Sequence, residues 1–143
     1  IIQWSTWERE EWLIGDEYYQ INASGTDIVP SSYTQKYKEY VAKINWEKKT
    51  KQAHEDIWQF HLELDKLGAK HIFFNGNNDF SKVKDQKQWG SSYIEPYSTE
   101  HTFNAVVGAR CETVSPISWH YGVDGHRVWA QYLTKYIVDN KLI

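Results

Sequence analysis

The stretch from residue 46 to residue 75 constrains the fold most. Ala53, Ile57, Phe60, Leu64 and Leu67 recur at three- and four-residue spacing, and Trp58, His61 and Leu62 widen the stripe. A helix over 46–67 therefore has one apolar side. Gly68 follows as a stop, because glycine accepts the left-handed backbone that ends many helices. Residues 69–75, AKHIFFN, then form a short apolar run suited to a buried strand. Helix, glycine and hydrophobic strand in that order are the mark of an α/β crossover, the connection that parallel strands require.

Residues 1–4, IIQW, supply a partner strand ahead of that crossover. Ser5 or Thr6 is placed to cap a short helical turn over WEREEWLI, with Glu8 and Glu10 near its positive end, and Gly15 and Asp16 to close it. The Asn, Ser, Gly, Asp and Pro content of 16–34 predicts a loop. Tyr37, Tyr40, Val41 and Ile44 predict a helix over 35–44. Residues 80–101 lack periodicity and predict a long connection with a short helix near 80–88. Residues 103–107 fit helix or strand, and 110–115 a short strand. The last element is a helix with Asp124 as N-cap and Val128, Trp129, Tyr132, Leu133, Tyr136 and Ile137 on its apolar side. One α/β domain over 1–143, or the C-terminal part of one, is the economical reading.

At 143 residues the chain is long enough to bury a real core. A single cysteine, Cys111, excludes an internal disulfide and favours a reducing, cytoplasmic setting. No apolar run reaches membrane-spanning length, so no membrane partner is expected. The net charge of -3 is spread over mixed signs, which gives no reason to expect a nucleic-acid partner. The lysine-rich segment 35–51 reads as a solvated helix face, with a phosphate-contacting patch as the alternative. The chain has no methionine and begins directly on a strand-like run, which suggests a fragment, a processed product or a remnant of a longer protein.

The candidate chemistry lies in three places. His120, between two predicted elements and beside Trp119 and Tyr121, suits a general base, since histidine takes and returns a proton near neutral pH. Its structural alternative is a histidine bonded to backbone. His126 and Asp124 belong to the helix start and are secondary candidates. Asn75, Asn78 and Asp79 sit where a parallel strand ends, the edge at which open α/β sheets bind ligands; turn formation is their other role. No metal-ligand spacing links Asp79, Asp85, His101, His120, Asp124 and His126, so neither metal nor cofactor is expected. Phosphate-binding glycine motifs are absent. Cys111 reads as a buried thiol.

The stretch HYGVDGHRVWAQYL resembles the last block of the SGNH, or GDSL, hydrolase family. IIQWST resembles the strand of that family's third block, and AKHIFFNG the next parallel strand. The resemblance spans nearly the whole chain. It implies a three-layer, flavodoxin-like parallel sheet, or an incomplete one. It implies His120 as general base, Gly125 as the glycine of the block, and His126 as its helix-start residue. Ser5 or Thr6 would then stand near the oxyanion, together with Asn75. Asn78 and Asp79 resemble the family's Asn-Asp pair as a second placement. The family's acid, three residues before its histidine, falls on Ile117, and its Gly-Asp-Ser nucleophile block would precede residue 1. The implied activity is acyl-ester hydrolysis on a small ester or glycan substrate, inactive in this chain for want of the serine. The alternative is a noncatalytic α/β binding or assembly protein using its eight Trp and ten Tyr residues. Either way an open sheet edge predicts a homo-oligomer.

Overall fold

The computed structural model describes residues 1–7, 9–21, 29–116, 118 and 120–142. Among these residues it has a mixed α/β topology with one small parallel and one small antiparallel sheet. Two compact units divide the chain, one of Thr6–Asp56 and one of Ile1–Ser5 with Ile57–Ile143.

In the unit of Thr6–Asp56, strands β2 (Glu10–Ile14) and β3 (Glu17–Ile21) pair antiparallel, with Trp12 opposite Tyr19 and Ile14 opposite Glu17. The expected helical turn near 7–14 and the expected loop at 16–21 are thus a hairpin. Trp12 and Ile14 alternate with the exposed Glu11 and Leu13, the two-residue period of a strand. Gly15 opens the two-residue loop at φ 66°, a backbone that few residues other than glycine adopt. Glu8 and residues 22–28 lie outside the described residues. Helix α1 (Thr34–Lys43) confirms the expected helix, and its Tyr37 joins Ile21 and Val29 in a small core flanked by Trp12, Tyr19 and Tyr40. Asn45 caps the following helix α2 (Trp46–Lys66), its Oδ1 accepting the Lys48 amide at 2.9 Å.

The larger unit is organised by the crossover. Helix α2 ends in a Schellman turn: Ala69 donates to the Leu64 carbonyl and Gly68 to the Asp65 carbonyl, both at 2.9 Å. Gly68 takes φ 66° there. The chain then enters β4 (Phe73–Asn75), which pairs in parallel with β1 (Ile2–Trp4), Trp4 opposite Asn75. Tyr93 makes a parallel bridge on the far side of Phe73. All three β4 side chains are buried and alternate in direction. Phe73 meets Phe60 of α2, ring centroids 5.9 Å apart, as well as Trp4 and Tyr93. Phe74 meets Trp129 at 4.8 Å. Trp129 belongs to helix α4 (Val123–Asp139), whose Tyr132, Leu133, Tyr136 and Ile137 surround a core of Ile72, Phe74, Ile94 and Val107. The apolar stripe expected for the last helix therefore covers one side of β4, and Phe60 and His61 of α2 cover the other, while Leu62 and Leu67 of the expected α2 stripe are 42% and 78% exposed.

The other expectations fare unevenly. Residues 103–107 belong to helix α3 (Phe103–Gly108), started by Thr102 Oγ1, which accepts the Ala105 amide at 3.1 Å. Residues 80–88 form turns rather than a helix. Phe80 is completely buried, and its amide bonds the Pro96 carbonyl at 2.8 Å, so tertiary anchoring wins over local helix formation. The strand expected at 110–115 reduces to one antiparallel bridge, Thr113 with Tyr121. Helix α4 starts two residues early: Gly122 holds the N-cap position, and Asp124 lies in the first turn, where it pairs with Arg127 at 2.6 Å. Its negative charge still suits that end of the helix. No helix among the described residues is long and apolar enough to cross a membrane.

Candidate functional site

Parallel strands end on the same edge, and there the backbone of the larger unit ties four segments together. The Gly76 amide donates to the Trp4 carbonyl at 2.7 Å, linking the end of β4 to the end of β1. The Asn104 amide donates to the Gly76 carbonyl at 3.0 Å. The Asn104 side-chain amide donates to Asn77 Oδ1. The Tyr121 hydroxyl donates to the Asn104 carbonyl at 3.4 Å. This run carries the edge from Trp4 through Gly76 and Asn104 to Tyr121, the residue next to His120. Gly76 has no room to spare: a Cβ there would lie 3.2 Å from the Trp4 carbonyl oxygen and 3.7 Å from Ser5 Cα.

His120 is exposed and adjoins the end of this run. Its amide donates to Ser118 Oγ at 3.1 Å, and its carbonyl accepts the Val114 amide at 2.9 Å. Bonds to both its backbone amide and its carbonyl hold the exposed residue. Behind it, Gly125 is buried against Tyr121 and Val107, which fixes the approach of α4 to this segment. Ile117 and Trp119 lie outside the described residues, and with Ile117 the position of the family's acid.

The remaining sequence candidates separate. Ser5 is half-buried at the end of β1, whereas Thr6 is the first residue of the other unit. Asn75 is 2% exposed, and its Oδ1 accepts the Tyr93 hydroxyl at 2.5 Å. Burial pushes the Tyr93 phenol well above its ordinary pKa, helped by Tyr97 and opposed by the bond to Asn75. Asn75 therefore fastens β4 to the Tyr93 segment. Asp79 makes an Asx turn, Oδ1 accepting the Ser81 amide at 2.8 Å, beside a half-buried Asn78. His126 is exposed, its ring 6.2 Å from that of Phe103. Sequence reasoning missed Asn104, which joins β4 to Tyr121. Nothing in FNAVVG marks it, because its role depends on where α3 docks.

A second cluster lies at the opposite end of β4, where the strand begins. His61 and Asp65 are one helical turn apart on α2, with Nε2 and Oδ2 separated by 3.4 Å. The Schellman turn brings His71 back onto them, its Nε2 2.8 Å from His61 Nδ1. His71 Nδ1 lies 2.8 Å from the Ala69 carbonyl oxygen. His61 is 4% exposed. Burial lowers its pKa, His71 lowers it further, and Asp65 opposes both. Asp65 and His71 also border a cleft of about 550 Å³ with Lys70, Ile137 and Lys141. This cluster was missed because His61 reads as part of the apolar stripe. The signal was present as His-x3-Asp on one helix face, with a second histidine six residues on.

No protein-family model, curated protein or solved structure matches this chain.

Proposed function

We propose that the chain is part of an SGNH-like acyl-ester hydrolase, with a flavodoxin-like parallel sheet and His120 as general base. The observation that carries this reading is the edge itself. The ends of β1 and β4 and the His120–Tyr121 segment are joined through Gly76 and Asn104. Ligands of open α/β sheets bind at this end of the strands. An exposed histidine on a segment held by its backbone suits a group that must meet a substrate. The HYGVDGH block, with its buried Gly125, supplies the family likeness.

On this reading a serine hydroxyl attacks the ester carbonyl and gives its proton to His120. The carbonyl oxygen becomes the oxyanion, stabilised by the Ser5 backbone amide. The imidazolium returns the proton to the leaving alcohol. Water then attacks the acyl-enzyme with His120 again as base, releasing the acid. The 143 residues contain no Gly-Asp-Ser, so the nucleophile is assigned to a segment outside them. The test uses the full reading frame and a short p-nitrophenyl ester. His120→Ala is expected to lower kcat by about 10⁴-fold, with a reading frame that encodes a Gly-Asp-Ser turn. Unchanged turnover, or a frame with no such nucleophile, refutes the assignment.

One observation favours a second, noncatalytic reading. Leu13 and Tyr18 face each other across the hairpin and are 57% and 71% exposed. An apolar cross-strand pair of this kind suits contact with a second copy of the chain. Light scattering over a concentration series decides it. An oligomer that dissociates in Leu13→Ser/Tyr18→Ser supports assembly through the hairpin, and a monomer throughout removes it.

A further inference from the structure

His61, His71 and Asp65 have the features of a cation site rather than of a solvated surface cluster. One nitrogen of each imidazole and one Asp65 oxygen lie within 4.8 Å of one another. His71 already has the arrangement that metal-bound histidines use. Its Nδ1 faces the Ala69 carbonyl oxygen, which can only accept, so Nδ1 carries the proton and Nε2 presents its lone pair. That lone pair points at His61 Nδ1, 2.8 Å away.

With His61 neutral, proton counting leaves one contact unsatisfied, and either a second proton on the ring or a metal ion resolves it. If neutral His61 carries its proton on Nδ1, it satisfies His71, but its Nε2 lone pair faces the Asp65 carboxylate at 3.4 Å. If the proton is on Nε2, it serves Asp65, but two ring lone pairs face each other across 2.8 Å. Neither neutral tautomer satisfies both neighbours. A metal ion between the two nitrogens accepts both lone pairs and lets the Asp65 carboxylate turn away from Nε2 and onto the ion.

We propose that His61 Nδ1, His71 Nε2 and Asp65 bind a divalent transition cation of the zinc class. Two imidazole nitrogens and a carboxylate match its ligand preference. Nitrogens around a tetrahedral zinc lie about 3.3 Å apart, given bonds of about 2.05 Å. Opening the imidazole pair by about 0.5 Å meets that distance, which a half-exposed His71 allows by ring rotation. Asp65 is 56% exposed at its side chain and closes on the ion by rotating about its side-chain bonds. The cleft bordered by Asp65 and His71 leaves the fourth position to water. The site stands apart from the strand-end edge, since His71 precedes the first residue of β4 and Gly76 follows its last.

The test titrates the EDTA-dialysed chain with ZnCl2 by calorimetry and with CoCl2 by visible absorption. One equivalent of zinc is expected to bind with Kd of about 10 µM or tighter, with the visible bands of four-coordinate cobalt. Asp65→Asn and His71→Gln, both outside the packed core, are each expected to weaken zinc by about tenfold or more. Circular dichroism of both variants should match that of the parent chain. Zinc should raise the unfolding midpoint of the parent chain more than that of either variant. Weaker binding, another stoichiometry, or binding undiminished in either variant overturns the site.

Discussion

Gly125 meets Tyr121 so closely that a Cβ on the glycine would lie 2.5 Å from Tyr121 Cβ, and 2.9 Å from Val107 Cγ1. The first of these atoms is fixed to the backbone and cannot swing aside. Gly125→Ala sets two effects against each other. Alanine gains about 1 kcal/mol of helix propensity over glycine. Overpacking a tight contact costs about 1–3 kcal/mol. Because relief requires moving the backbone of Tyr121, the clash is expected to win and the variant to unfold more easily. Urea denaturation measures this. A variant more stable than the parent would mean that α4 and the Tyr121 segment are loosely packed.

The Tyr93 hydroxyl is the donor that satisfies Asn75 Oδ1 in a fully buried setting. Tyr93→Phe leaves that oxygen with its desolvation cost and without this donor, a loss of about 1–3 kcal/mol. For a chain of this size the melting temperature should fall by roughly 3–10 °C. Asn75→Leu together with Tyr93→Phe removes both polar ends, so the double variant should lose less than the sum of the singles. Simple additivity in this cycle would deny the bond its role in fastening β4 to the Tyr93 segment.

Legibility in the sequence followed the range over which each feature is determined. The crossover from α2 through Gly68 to β4 was visible because a stripe of apolar residues and a stop glycine are local signals. Helix α4 was visible for the same reason. The hairpin of β2 and β3 was hidden. Its strands are five residues each, too short to separate a two-residue from a helical period, and only the pairing of Trp12 with Tyr19 decides. Phe80 shows the converse. Its segment turns because its amide finds Pro96, a partner 16 positions away. Among site residues, His120 stood out by its chemistry and neighbours. His61 did not, because half its meaning lies in the turn that returns His71 to it.

Gly68 tests the crossover directly. It holds φ 66° at the end of α2, and a Cβ added there would meet nothing within 4 Å. Space is therefore free and the backbone angle alone is at issue. Gly68→Ala should cost about 1–2 kcal/mol, the penalty for a left-handed residue bearing a Cβ. Gly68→Asn should cost less, because asparagine tolerates that region. Equal stability of all three proteins in urea would show that the Schellman turn places no constraint on the start of β4.

Glu10 carries a pH dependence whose sign can be worked out. Burial raises its carboxyl pKa, but this is outweighed by the hydrogen bonds from Lys49 and Trp12 and by the Lys49 charge, leaving the pKa below its ordinary value. The folded chain thus holds this proton less tightly than the unfolded chain. The resulting stabilisation is complete above the unfolded carboxyl value of about 4.3. It fades as pH falls through the lower folded value. The Glu10 and Lys49 side chains are 35% and 31% exposed, so solvent limits the pair to about 1 kcal/mol or less. Lys49→Met should therefore be slightly less stable than the parent chain at about pH 7, and the gap should close by about pH 2–3. Added salt should narrow the gap at neutral pH. Urea unfolding of both proteins across this range gives the answer. A gap that stays constant with pH would assign the effect of Lys49 to the packing of its aliphatic stem rather than to its charge.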